Sequence, residues 1–253
     1  MGGCMGWLWG AGRDKSRPTT GSTGATGLEP IITTASSTPA ARSGPTPKQA
    51  LAELIAGNEA FLRGENNLGH IKADDLDELQ SGQNPIATIV GCADSRTPPT
   101  ILFNQGFGRL FSIRVAGNTV DRRGLASIVY AVKHLNCPLV VVMGHTGCGA
   151  VAAAEAIVDG KVPLDPSLEE MIVPIIPAVL DARRSGAADM AVRAVEENAR
   201  RVADKLKVAD ASLADAIDAG RLKVVAAVKR MDTGRVVFLD LPSASADDGA
   251  GHA

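Results

Sequence analysis

Two changes in the polar and apolar pattern divide the chain. At Thr46 a disordered-type composition gives way to helical spacing. Leu51, Leu54, Ile55, Asn58, Phe61 and Leu62 recur on one face behind Thr46-Pro47-Lys48-Gln49, which has the form of a capping box with proline at the first helical position. Gly64 ends that element, and a short helix is predicted over Asp74–Gln80. Beyond it the pattern shifts to short apolar runs: Ile86–Val90, Leu110–Val115, Leu139–Met143 and Leu222–Val228. Runs without alternation predict strands covered on both faces, hence a parallel sheet with crossover helices. Helical segments are predicted between them at Gly124–Leu135, at Ala150–Val158 (ended by Gly160) and at Ala187–Lys207. The last carries Val192, Val195, Ala199, Val202 and Leu206 as a single stripe. Val236–Leu239 follows Asp232-Thr233-Gly234, a tight-turn signal, and is expected to pair antiparallel with the fourth run at a sheet edge. The predicted fold is α/β, a central mainly parallel sheet of about four strands plus an antiparallel edge strand, flanked by helices.

Composition sharpens the boundaries. Residues 1–45 are rich in Gly, Ser, Thr and Pro and cannot bury enough apolar surface to offset their ordering entropy, so they are expected to form a disordered or targeting tail. Residues 46–242 form the folded domain, and 243–253 a disordered C-terminal tail. Gly2 and Cys4, with Arg13, Lys15 and Arg17 downstream, suggest a lipid anchor, but Gly6 stands where that pattern requires Ser or Thr. The apolar content of 45% suffices for a core, and with aromatics at 3% that core must be mostly Val, Leu, Ile and Ala. A net charge of −2 without a basic patch argues against nucleic acid as a partner. No apolar run is long enough to span a bilayer. The four cysteines are too sparse for a disulfide scaffold, which points to metal binding or catalysis in a reducing compartment, the cytoplasm.

The candidate chemistry sits at two strand ends. The first run ends in Cys92-Ala93-Asp94-Ser95-Arg96, the third in Gly144-His145-Thr146-Gly147-Cys148-Gly149. Ligands of open parallel sheets bind beyond the carboxyl ends of the strands, near a switch in strand order. With the first and third strands side by side, Cys92, His145 and Cys148 reach one point. That is a three-ligand zinc set with a fourth position open. Cys148 would also head the following helix, whose dipole favours a thiolate. Taken singly, Cys92 reads as a small buried hydrophobe, as does Cys137 before Pro138; the two motifs together carry the metal reading. Gly147-Cys148-Gly149-Ala150-Val151-Ala152 fits a dinucleotide fingerprint, but the chain runs on into KVPLDPSLEE and the proline-broken MIVPIIPAVL instead of a second strand ending in an acidic residue.

These motifs resemble the β-class carbonic anhydrases. So do Leu110-Phe111-Ser112-Ile113-Arg114-Val115-Ala116-Gly117-Asn118 and the stretch from Tyr130-Ala131-Val132 to the His145 loop, with resemblance running from about Thr46 to about Leu239. The resemblance implies zinc on Cys92, His145 and Cys148, with Asp94 alternating with water as the fourth ligand. It further implies a homodimer or higher homo-oligomer, N-terminal helices packed on a partner subunit, and a substrate pocket shared across the interface. Gln83, Phe111, Tyr130 and the Gly149 amide fall where the family places substrate contacts, and His134 falls at a candidate proton shuttle. Ile89 stands where some relatives carry the tryptophan of a regulatory bicarbonate site, so that regulation is not implied.

The implied reaction is hydration of carbon dioxide to bicarbonate and a proton. Zinc acidifies a bound water, and two thiolates temper that effect. Arg96 is a planar bidentate partner for Asp94, drawing the carboxylate off the metal and leaving it as a hydrogen-bond acceptor. The rival functions are hydrolysis of carbon disulfide or carbonyl sulfide with the same zinc machinery, and a non-catalytic zinc-stabilised module. Pro98 and Pro99 are expected to bias the chain away from helix just after the site.

Overall fold

The structure, a computed structural model, describes residues 44–65, 76, 79–80, 82–239 and 241. Most of the helix expected over Asp74–Gln80, like the segments 1–43 and 243–253, lies outside the described residues. Helix α1 (Pro47–Leu62) starts on the expected capping box. The Thr46 hydroxyl accepts from the Gln49 amide at 3.3 Å, and the Gln49 side chain accepts from the Thr46 amide at 2.9 Å. Its face of Ala50, Leu51 and Leu54 is buried against Ile86, Phe103 and Phe238. Asn58 on the same face donates to Leu102 O and Gly234 O and accepts from Val236 N. The helix thus covers its own sheet with this face.

The strands are β1 (Ala87–Gly91), β2 (Leu110–Arg114), β3 (Leu139–His145), β4 (Lys223–Lys229) and β5 (Val236–Phe238). They form one sheet in the order β2-β1-β3-β4-β5, parallel except for the β4–β5 pair. Every residue of β1 and β3 is buried, as runs without alternation require, but β2, at the sheet edge, is not covered on both faces: Ser112 is exposed and Ile113 is its one buried residue. Alternate residues serve opposite faces. Ile89, Val141 and Ala227 pack with α1 on one side. Val90, Val142 and Ala226 pack on the other with Ile128 of α3 (Arg122–His134) and Ala199 and Leu206 of α7 (Met190–Val208).

Two readings of proline change. Pro98 and Pro99 do not keep helix away: Pro98 caps, and Pro99 opens, the short helix α2 (Pro99–Leu102). The first helical position needs no amide hydrogen and suits the fixed φ of proline. For the same reason MIVPIIPAVL is not broken. Helix α5 (Glu169–Ile172) continues through a 3-10 turn at Val173–Ile175 into α6 (Ile176–Ser185), with Pro174 and Pro177 each in a first turn. The long helix begins later than expected because Asp189 caps it, accepting from Val192 N at 2.9 Å. A further helix, α8 (Ala211–Asp218), starts at an Asp210 cap.

Sheet order places the chemistry. The chain steps from β1 outward to β2, then returns to the other side of β1 with β3. The carboxyl ends of β1 and β3 therefore flank the topological switch point, where such sheets bind ligands.

Candidate metal centre

Cys92 is the first residue beyond β1, His145 is the last of β3, and Cys148 caps α4 (Gly149–Val158). Gly147 makes the intervening turn at φ +66°. All three side chains are buried, and their ligand atoms lie within 4.8 Å of one another. His145 Nδ1 lies 3.1 Å from Thr146 O. A carbonyl only accepts, so Nδ1 carries the hydrogen and Nε2 presents its lone pair. Nε2 is buried with no hydrogen-bond partner among the described residues. Two thiols and an unpartnered, correctly tautomerised imidazole nitrogen suit a tetrahedral zinc site with one position open.

The two sulfurs share a proton. Donation from Cys148, then from the Asp94 and Gly117 amides, pushes the Cys92 thiol down, while Cys148 is pushed up by the same contact and by burial. A divalent cation replaces that proton and favours both thiolates.

Asp94 lies at the mouth of the site. Arg96 grips it through Nε to Oδ1 at 3.0 Å and a terminal nitrogen to Oδ2 at 2.7 Å, and the Arg96 amide adds a bond to Oδ1 at 2.9 Å. The bidentate Arg96 guanidinium holds the Asp94 carboxyl well below the usual carboxylate range. Asp94 Oδ2 still stands 3.8 Å from His145 Nε2, so a small rotation separates the two predicted states of this carboxylate.

Three further residues support this loop, and sequence reasoning gave them no role. Arg114, at the end of β2 and paired with Gly91, donates to Cys92 O at 2.9 Å and Asp94 O at 2.6 Å. Gly117 donates to Cys92 Sγ at 3.3 Å, and Asn198 on α7 donates to Gly117 O at 2.8 Å. The available signals were a charge at the carboxyl end of an apolar strand and an asparagine on the apolar stripe of α7.

The other expected residues lie elsewhere. The Gly149 amide is in the exposed first turn of α4, beside Cys148. Gln83 is exposed and precedes the amino end of β1, whereas Cys92 follows its carboxyl end. Phe111 pairs with Thr88, about 13 Å of strand before Cys92. It stacks on Tyr130 (6.4 Å), which stacks on His134 (5.4 Å). Tyr130 is 47% exposed, which makes it a surface residue of this protomer and not ordinary core. His134 ends α3 and precedes β3, so about 20 Å of strand separates its level from His145. Cys137 is the expected structural thiol, buried beside the Thr88 hydroxyl at 3.3 Å and pushed up by burial.

Comparison with known proteins agrees with the site. The family model described as carbonic anhydrase matches residues 87–236, and the chain belongs to this family, in its β class. It is 38% identical to carbonic anhydrase 2 of Mycobacterium tuberculosis over 198 residues, 77% of this chain and 93% of that one. It is 34% identical to the carbonic anhydrase of Mycolicibacterium smegmatis over 194 residues, covering 75% and 92%. Among solved structures, the β-carbonic anhydrase CafA of Aspergillus fumigatus matches with a TM-score of 0.59 at 30% identity, covering 66% of this chain and 81% of that one. One of two tetrameric β-carbonic anhydrases of Sordaria macrospora shares the fold with a TM-score of 0.61 at 24% identity, covering 76% and 97%.

Proposed function

We propose that this protein catalyses the reversible hydration of carbon dioxide, in which carbon dioxide and water give bicarbonate and a proton, with zinc held by Cys92, His145 and Cys148. The observation that carries the reading is the cluster of these three donor atoms within 4.8 Å, with the His145 lone pair buried and unpartnered. Zinc bound there supplies Lewis-acid activation of a water at its open position, tempered by two thiolates.

The chain's own residues do the rest. Arg96 keeps Asp94 ionised and turned from the three donors, so the carboxylate can accept a hydrogen bond from the attacking water and aim its lone pair at the substrate carbon. The amide of Gly149, an exposed residue at the positive end of α4, suits a developing negative charge on substrate oxygen. Gln83, Phe111 and Tyr130 do not converge on this protomer's site. We assign them to the site of a second copy in a homo-oligomer, a reading that their exposed or half-buried positions support. His134, whose ring lies 5.4 Å from that of Tyr130, goes with it to the second copy's site as the candidate proton shuttle, and solvent buffer takes the proton onward.

Zinc counting and stopped-flow hydration of carbon dioxide across pH test the proposal together. About one zinc per chain with hydration at alkaline pH is expected. Stoichiometric zinc with no hydration at alkaline pH would overturn it. Inactivity confined to low pH would mark the state in which Asp94 takes the open position.

A further inference from the structure

We propose that Asn198 is a positioning residue of the metal centre, holding the Gly117 peptide so that its amide stays on the Cys92 sulfur. The inference rests on the reading that Cys92 is a metal ligand. Asn198 is 1% exposed, on the buried face of α7. Its Nδ2 donates to Gly117 O at 2.8 Å across 81 positions of sequence, and Gly117 N donates to Cys92 Sγ at 3.3 Å across 25. The two bonds lie on either side of the Gly117 α-carbon, whose torsions a glycine leaves soft. Pinning the carbonyl on one side therefore restrains the amide on the other.

The surroundings favour a glycine in this link. Gly117 sits at φ +69°, and an added Cβ would lie 2.6 Å from Ile175 Cδ1 and 3.1 Å from Ala150 Cβ. Ala150 is in the first turn of the helix that Cys148 caps. The Gly117 peptide is thus clamped between the helix bearing one thiol and the asparagine of another helix, with its N–H on the other thiol. An N–H donated to a thiolate withdraws charge from the sulfur and fixes its lone pairs, so it sets both affinity and the energy of sulfur-to-metal charge transfer. An asparagine on an otherwise apolar stripe, satisfied through a backbone that itself touches a ligand, is explained by this role better than by packing alone.

The full-length protein provides the test. Zinc affinity is measured by competition with a chromogenic chelator, and the sulfur-to-metal charge-transfer band is recorded after cobalt substitution. Asn198→Ala is expected to weaken zinc binding about 10- to 100-fold and move the band to longer wavelength. Asn198→Gln, which retains the amide donor, is expected to recover part of both. Leu206→Ala opens the core under the same helix without touching Gly117, and is expected to lower the thermal midpoint while leaving both readouts in place. Zinc affinity of Asn198→Ala within about two-fold of wild type, with an unmoved band, would overturn the proposal and leave the metal reading standing. Wild-type protein that binds no zinc would overturn both. If Asn198→Ala does not fold, wild type loaded with an NMR-active cadmium isotope decides: scalar coupling between the metal and the Gly117 amide proton supports the link, and its absence overturns it.

Discussion

At the scale of single residues, Asp94 and Arg96 make separable predictions. Asp94→Asn keeps the three buried donors but loses the ionised acceptor. It should retain zinc and lose hydration activity by roughly 100- to 10,000-fold, measured by stopped flow beside metal analysis. Were the pair only a strand-end ion bridge, turnover would survive. Arg96→Ala frees a carboxylate whose Oδ2 already stands 3.8 Å from His145 Nε2. An inactive, zinc-loaded protein with a carboxylate ligand is expected by X-ray absorption at the zinc edge, and an active one would refute the gating role. The pair also has a sign in pH. Folding lowers the Asp94 pKa below its unfolded value of about 3.9, chiefly through the Arg96 hydrogen bonds. The folded chain then binds fewer protons than the unfolded one at acidic pH, so this contribution is complete above about pH 5 and fades as pH falls below about 4. Denaturant titrations from pH 3 to 7 should show a shallower acid limb for Asp94→Asn than for wild type.

Among the elements, α1 is held by its start and by one buried asparagine. Thr46→Ala removes the hydroxyl of the capping box and should cost about 1 kcal/mol in chemical denaturation. Asn58→Ala should cost more, about 3 kcal/mol, because Leu102 O, Gly234 O and Val236 N lose their partner together. Thr46 was legible in the sequence because capping is local: four consecutive residues contain both partners. Asn58 could be placed on the apolar face, but its partners lie 44 and 176 or more positions away, and no local pattern encodes them. The strands were legible for a similar reason, since a run buried on both faces needs no alternation. Prolines misled where position within a helix mattered more than composition. Pro99 and Pro177 sit in first turns, where the missing amide costs nothing. Helix α8 escaped notice because eight residues give barely two turns of periodicity.

At the scale of the whole molecule, the centre joins β1, β3 and α4 through three side chains, so metal should tie these elements together. Free zinc at a thousand-fold excess over its Kd should add about 4 kcal/mol of stability, read as a rise in Tm, and a chelator should reverse it. The strand ends carrying Cys92 and the His145–Cys148 loop could be recognised from sequence alone, because donor type, spacing and flanking glycines are local chemistry. So could the parallel sheet, from its short and largely apolar runs. Tertiary structure decided the rest. It set the order β2-β1-β3 that opens the crevice, and the reach of Arg114 across a strand to two carbonyls. It also set the path from Asn198 through Gly117 to a sulfur, and left Phe111, Tyr130 and His134 in a row away from the three donors. A sequence records which groups can coordinate, cap or bury, since these are properties of residues and near neighbours. Which distant peptide meets which side chain depends on how the helices close over the sheet, a packing of the whole domain that no window along the chain contains.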